Sequence, residues 1–177
     1  QRVVVKHLAA IEDFGSMTVL LTDKTGTLTR NETEVFASVD PMGAHSDRAA
    51  GLAHLNSSFQ TGIHSPLDDA ILRGCAPLRD LAQKLDEIPF DFERRRLSVV
   101  VECGGERLLV AKGAPEFVIS QCTQCLEGDV ARVLDSDARD KIQRVCNAYA
   151  GQGLRVLAIA YRDIEQKPRY TSADESG

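Results

Sequence analysis

Hydrophobic and polar positions alternate along this chain with two different periods, and the changes of period mark out its elements. "VVVKHLAAIEDFG" predicts a strand or turn entry followed by a short helix ending at Gly15. "TVLLTD" predicts a short apolar strand with Asp23 at its C-terminal end, and "TEVFASVD" a second strand closed by Pro41 and Gly43. "SDRAAGLAHLNSSF" spaces its apolar residues as a helix does, with Ser46 as N-cap. In "HSPLDDAILRGC" Ser65 is the N-cap, Pro66 the first helical residue and Asp68 the acid of a capping box, which gives Asp68 a structural role of its own. "EIPFDFERRRLSVVVECGGERLLVAKG" predicts two strands around a Gly104-Gly105 hairpin, approached by a charged, proline-bearing segment. A helix starts at Pro115 and Glu116, and "DSDARDKIQRVCNAYAGQG" forms another that ends in glycines before the strand "LRVLAIAYRDI". The tail "EQKPRYTSADESG" is polar and predicts a loose segment or connector. From residue 97 onward, strands joined by hairpins or single helices imply an α+β class with a mainly antiparallel sheet.

Composition narrows the function classes. With 177 residues the chain has room for one domain and part of another, and its net charge of -5 argues against nucleic acid as a partner. Its longest apolar runs, such as Leu154 to Ala160, fall far short of the roughly 20 residues that span a bilayer, so no direct membrane insertion is expected. The N-terminal stretch lacks a signal-peptide pattern, and a cytosolic setting is the expectation. Cys75, Cys103, Cys122, Cys125 and Cys146 are odd in number, which favours reduced thiols. The "CTQC" spacing lacks a second ligand pair for zinc, and His7, His45, His54 and His64 do not supply one, so buried or incidental thiols are expected.

The densest candidate chemistry lies in "LLTDKTGTLTRNETEV". A carboxylate at a strand end in a glycine-containing turn is placed to act as a nucleophile, which makes Asp23 the candidate. Lys24 can neutralise phosphate charge, Gly26 permits close backbone approach, and Thr25 and Thr27 offer hydroxyls to phosphate or Mg²⁺. An Asx-turn with solvated threonines is the plainer alternative.

"DKTGTLT" at residues 23 to 29 resembles the phosphorylation signature of the P-type cation-transporting ATPases, seven consecutive residues matching at a predicted strand end. The resemblance implies that Asp23 accepts the γ-phosphate of ATP, with Mg²⁺ held by Asp23 and partly through Thr25. The haloacid dehalogenase phosphatases generally carry a second acid where Thr25 stands. A threonine cannot serve as general acid or base at neutral pH, so the acyl phosphate would persist long enough to drive a conformational step. "SPLDDAIL" resembles the acidic nucleotide-domain motif and implies Asp68 near adenine or ribose. "PFDFERRRLS" resembles the segment that supplies a stacking ring, here Phe90, and a cation, here Arg95 or Arg94. Taken without the family, Phe90 reads as a core residue and "ERRR" as a solvated turn. "KGAPE" resembles the motif lining the ATP pocket with Lys112, Gly113 and Ala114, and "GLRVLAIAYRD" the segment whose arginine, here Arg155, reaches the phosphates. "IPFDFERRRLSVVVE" and the N-terminal stretch look most like the bacterial magnesium-importing subgroup.

The family's TGD, GDGxxND and TGE segments do not occur in the chain. The resemblance therefore implies a cytoplasmic piece of a larger pump. Residues 1 to 30 would be an incomplete stub of the α/β phosphorylation domain, whose strand lacks sheet partners. Residues 31 to 165 would be the nucleotide-binding domain, and 166 to 177 a connector returning to the phosphorylation domain. Such a piece is expected to bind ATP without turning it over, and to work with the phosphorylation, actuator and transmembrane domains at the cytoplasmic face of the bacterial inner membrane. The alternatives are a haloacid-dehalogenase-like phosphohydrolase with a cap insertion, and a non-enzymatic module docking an acidic partner through "ERRR".

Overall fold

The computed structural model describes residues 10–24, 27–29, 32–62, 65–78 and 82–176. It divides into two compact units, Gln1–Glu32 and Thr33–Gly177. In the first, α1 covers Ala10–Ser16, close to its expected end. Lys24 O accepts from Leu28 N at 3.0 Å and from Thr29 N at 3.2 Å, closing a turn over the signature. The strand expected in "TVLLTD" does not form: residues 17–23 are irregular, and Val19, Leu20 and Leu21 are exposed. A strand exists only through hydrogen bonds to a neighbour, and none of the described residues pairs with this segment. The entry expected at Val3 to Val5 lies outside the described residues.

The second unit is built on a four-stranded antiparallel sheet of order β1-β2-β3-β6, from β1 (Ala82–Asp91), β2 (Arg96–Cys103), β3 (Glu106–Gly113) and β6 (Ala158–Asp163). This is the expected α+β class with a mainly antiparallel sheet. The β2–β3 hairpin turns at Gly104 and Gly105, with φ of 60° and 86°; both positions need the positive φ that glycine supplies freely. The charged approach to it proves to be β1 itself. Pro89 is tolerated because β1 is an edge strand and the ladder slips between Ile88 and Asp91. A two-stranded hairpin, β4 (Gln124–Glu127) and β5 (Val130–Val133), turns at Gly128-Asp129 and was not anticipated.

Both faces of β2 are covered, so Val99, Val100 and Val101 are wholly buried. On one face Leu97, Val99, Val101 and Val110 pack against Leu52 and Leu55 of α2 (Asp47–Phe59). Ala53 of α2 in turn meets Ile71 of α3 (Pro66–Gly74) and Cys75. Ser46 caps α2 through Ala49 N at 3.2 Å, and the Ser65/Asp68 capping box forms as expected. On the other face Ile88, Val100, Leu109 and Ala111 pack against Tyr170. The tail is therefore not loose. Its buried Tyr170 and Glu175, the latter in a 3₁₀ turn at Ser172–Glu175, hold it to the sheet. The helix expected from Pro115 is short, α4 (Pro115–Ile119), while α5 (Ser136–Ala150) starts at Asp135, whose carboxylate accepts from Ala138 N at 2.8 Å.

The expected strand "TEVFASVD" is irregular apart from a single bridge, Val39 to His45. The buried Asp40 carboxylate takes over there, accepting from Met42 N and Ala44 N at 2.9 Å and from Gly128 N at 3.1 Å, so the backbone turns rather than extends.

Candidate functional site

Lys112 and Asp68 define the centre of the site. Lys112 sits near the end of β3 and Asp68 in the first turn of α3, and their side chains form a buried ion pair at which Lys112 Nζ also donates to Ser57 Oγ at 2.6 Å. Asp68 accepts further from Ser57 Oγ at 3.1 Å, from Ser65 Oγ at 2.6 Å and from Ser65 N at 3.1 Å. Burial alone would raise the Asp68 carboxyl, but the hydrogen bonds from Lys112 and Ser65 and the Lys112 charge outweigh it and hold the group well below the usual carboxylate range. Asp68 is thus ionised at neutral pH, while burial pulls Lys112 below its ordinary value against the opposing hydrogen bond and charge of Asp68, so the capping acid doubles as the counter-ion that offsets the burial of Lys112. Ser57 was not anticipated. Its only signal was its place on the inner face of a helix that otherwise buries apolar residues.

The slip in β1 decides where Phe90 points. Ile88 pairs with Ser98 and Asp91 with Arg96, so one extra residue lies on β1 between two positions that share a face. The extra residue breaks the simple alternation and directs Phe90 to the Leu97 side of the sheet. Leu97 pairs with Lys112, so Phe90 and Lys112 share a face two strands apart, roughly 10 Å at ordinary strand spacing. The Phe90 ring is 51% exposed and meets the Phe92 ring edge-on, centroids 5.3 Å apart at 86°; Phe92 itself is 87% exposed. Phe90 is therefore not the core residue that its apolarity alone suggests.

Gly113 brings the β1–β2 turn against the end of β3. A Cβ at Gly113 would lie 2.4 Å from the Arg95 carbonyl oxygen and 2.6 Å from Arg96 Cβ, so only glycine fits. That carbonyl accepts from Ala114 N at 3.1 Å. Arg95 has a φ of 47°, a strained value for a residue with a side chain, and its exposed guanidinium stacks 5.2 Å from the Phe117 ring centroid. Arg94 is held differently: it donates to Glu175, Asp91 and the Pro89 carbonyl, on the side of the sheet away from Lys112. Of the two arginines, Arg95 is the one with its charge turned to solvent. Arg155 is exposed in the segment between α5 and β6, and no hydrogen bond among the described residues joins it to the Lys112 pair.

In the first unit Asp23, Lys24 and Thr27 are exposed on the signature turn, while Thr25 and Gly26 lie outside the described residues. Among the described residues no group of three or more His, Cys, Asp and Glu is arranged to hold a metal. Cys122 Sγ donates to Val118 O at 3.3 Å, and burial raises the thiol. No helix among the described residues is long and apolar enough to cross a membrane.

A family model for the P-type ATPase cytoplasmic domain N matches residues 63–176, which span the sheet, the Lys112–Asp68 pair and the docked tail; the chain belongs to that family. Among its relatives, the "Magnesium-transporting ATPase, P-type 1" of Escherichia coli (strain K12) is 45% identical over 99% of this chain and 20% of its own length. The protein of that name from Salmonella typhimurium (strain LT2) is 43% identical over the same shares. The "Calcium-transporting ATPase 1" of Lactococcus lactis is 29% identical over 99% of the chain and 23% of its own length. The chain thus spans about a fifth of these relatives. Membership of the family favours the ATPase reading over the phosphohydrolase and the interaction module.

Proposed function

We propose that the unit Thr33–Gly177 binds ATP on the face shared by Phe90 and Lys112, as the nucleotide-binding domain of an ATP-driven cation pump. The observation that carries this reading is the register slip in β1, which turns a half-exposed aromatic ring onto the face of a buried lysine paired with Asp68. Phe90 supplies the stacking surface for the base. Lys112 supplies positive potential, kept charged and oriented by Asp68. Gly113 and Ala114 line the site at the end of β3 and hold the β1–β2 turn against it, while Arg95 offers a solvent-facing charge to the phosphates, with Arg155 a further cation.

In the complete pump, Asp23 would accept the γ-phosphate as an aspartyl phosphate, with Lys24 and Thr27 beside it, and Asp23 and Thr25 would hold a Mg²⁺ that neutralises phosphate charge. The bond from the γ-phosphorus to the bridging oxygen of ADP breaks as the bond to the Asp23 oxygen forms. This assignment rests on the "DKTGTLT" match, and the transported ion on the names of the magnesium-transporting relatives, with import as the direction resting on the subgroup resemblance alone. The chain alone would bind nucleotide without turnover, because transfer needs the remaining phosphorylation domain around Asp23. The actuator and transmembrane domains would be its other partners, at the cytoplasmic face of the membrane.

Calorimetric titration with ATP tests the binding role. Losing a base–aromatic stack costs about 1–3 kcal/mol, so Phe90→Ala should weaken binding roughly 5-fold to 150-fold. Equal affinities for wild type and Phe90→Ala, or no heat from the wild type at millimolar ATP, would refute the assignment.

A further inference from the structure

Glu175 is a fully enclosed acid, and it comes from the tail. Its side chain is wholly shielded from solvent, and its two oxygens receive four donor contacts: Arg94 Nη1 at 2.8 and 2.7 Å, Arg96 Nε at 2.8 Å and Ser98 Oγ at 2.7 Å. Arg94 is the link to the turn. While bound to Glu175 it also donates from Nε to Asp91 Oδ2 at 3.2 Å and from Nη2 to the Pro89 carbonyl at 2.7 Å. One guanidinium therefore ties three things together: the tail, the strand at the register slip, and the first residue of the turn that presents Phe90, Phe92 and Arg95.

We propose that Glu175 is a positioning residue for the nucleotide site, fixing the β1–β2 turn through Arg94 and so coupling base binding to the docking of the tail. Gly113 and Ala114 brace the turn from the β3 side, and Glu175 braces it from the opposite face of the sheet. Neither Phe90 nor Phe92 has a packing partner sufficient to fix its ring, since both remain largely exposed. Their orientation is inherited from the backbone between Pro89 and Arg95, and Arg94 determines that backbone only while Glu175 holds it. The coupling is reciprocal: whatever orders the turn also strengthens the tail's hold on the sheet. The inference rests on the nucleotide reading above.

The test uses the full chain and three variants: Glu175→Gln, Ser98→Ala as a milder loss of one Glu175 donor, and Ile142→Val as a control on α5, remote from the turn. Kd for ATP, melting temperature and amide hydrogen exchange are measured for each. Glu175→Gln should raise Kd about tenfold and speed exchange at residues 91 to 95, and Ser98→Ala should raise Kd about threefold. Ile142→Val should lower the melting temperature yet leave Kd within about twofold. In the wild type, ATP should slow exchange at residues 171 to 176, although they lie across the sheet from the ligand. Wild-type Kd in both Glu175→Gln and Ser98→Ala, or an equal rise in Ile142→Val, overturns the inference; if Glu175→Gln does not fold, unchanged Kd in Ser98→Ala does so alone. A wild type that fails to bind ATP sinks the nucleotide reading itself, a different result from a wild type that binds and variants that match it.

Discussion

Removing Lys112 probes the buried pair that organises the site, because its partner cannot follow it out. In Lys112→Met the side-chain volume is nearly conserved, so little cavity forms, but Asp68 is left as an ionised group only 6% exposed. Breaking a buried ion pair from one side costs about 3–5 kcal/mol. The three contacts that Asp68 keeps, from Ser57 Oγ, Ser65 Oγ and Ser65 N, place this case near the lower end, about 3 kcal/mol. Asp68→Asn strands the Lys112 ammonium instead and should cost about the same. The double variant buries no charge at all, so it should lose about 3 kcal/mol rather than the 6 that addition gives, a coupling of about 3 kcal/mol. Urea unfolding followed by circular dichroism reads these values, and each single variant should melt about 6–12 °C below the wild type. Losses that add within about 0.5 kcal/mol would mean that the two groups are solvated separately, and the reasoning would fail.

Gly113→Ala should destabilise by about 2–4 kcal/mol, combining overpacking against Arg95 O with loss of the Ala114 N to Arg95 O bond, and it should weaken ATP binding in the same preparation; a melting temperature within a degree of wild type would contradict the close approach. Stability should also respond to acid. Asp68, despite its burial, is held low by Lys112 and Ser65, and Glu87, likewise against burial, by Lys84 and Thr61. Both folded values lie below the ordinary 3.8 and 4.5, so their contribution is complete above about pH 5 and is lost as pH falls through the depressed values. Urea midpoints should be level from pH 7 to 5 and decline below about pH 4; a decline already complete at pH 5 would assign the effect to other groups.

How much of this was legible in the residues follows from how local each determinant is. The starts of α2 and α3 are written in single side chains, Ser46 and the Ser65/Asp68 box, and the β2–β3 turn in two adjacent glycines, so each could be read without knowing the fold. Asp68 shows the limit of that reading: its capping role is local, but its role as counter-ion depends on Lys112, 44 residues away in sequence. The strand character of β1 was hidden by Pro89 and its charges, although an edge position makes both acceptable. "TVLLTD" carries strand-like apolarity but finds no partner among the described residues, and alternation says nothing about who supplies the hydrogen bonds. The tail looked loose because it is polar, yet it docks through one buried ring, Tyr170, and through the ion pairs of Glu175. The β4–β5 hairpin did carry a signal, Gly128-Asp129 between two short apolar-bearing runs, which the nearby "CTQC" spacing overshadowed.

The central claim, that ATP binds on the face where β1 turns Phe90 toward Lys112, is tested most directly by a residue-resolved NMR titration of this chain. The account predicts saturable shifts at Phe90, Phe92, Lys112, Gly113 and Ala114, with weaker ones at Asp68. Saturable shifts confined elsewhere, for instance to α5 and the β4–β5 hairpin, or no shifts at millimolar ATP, would contradict it.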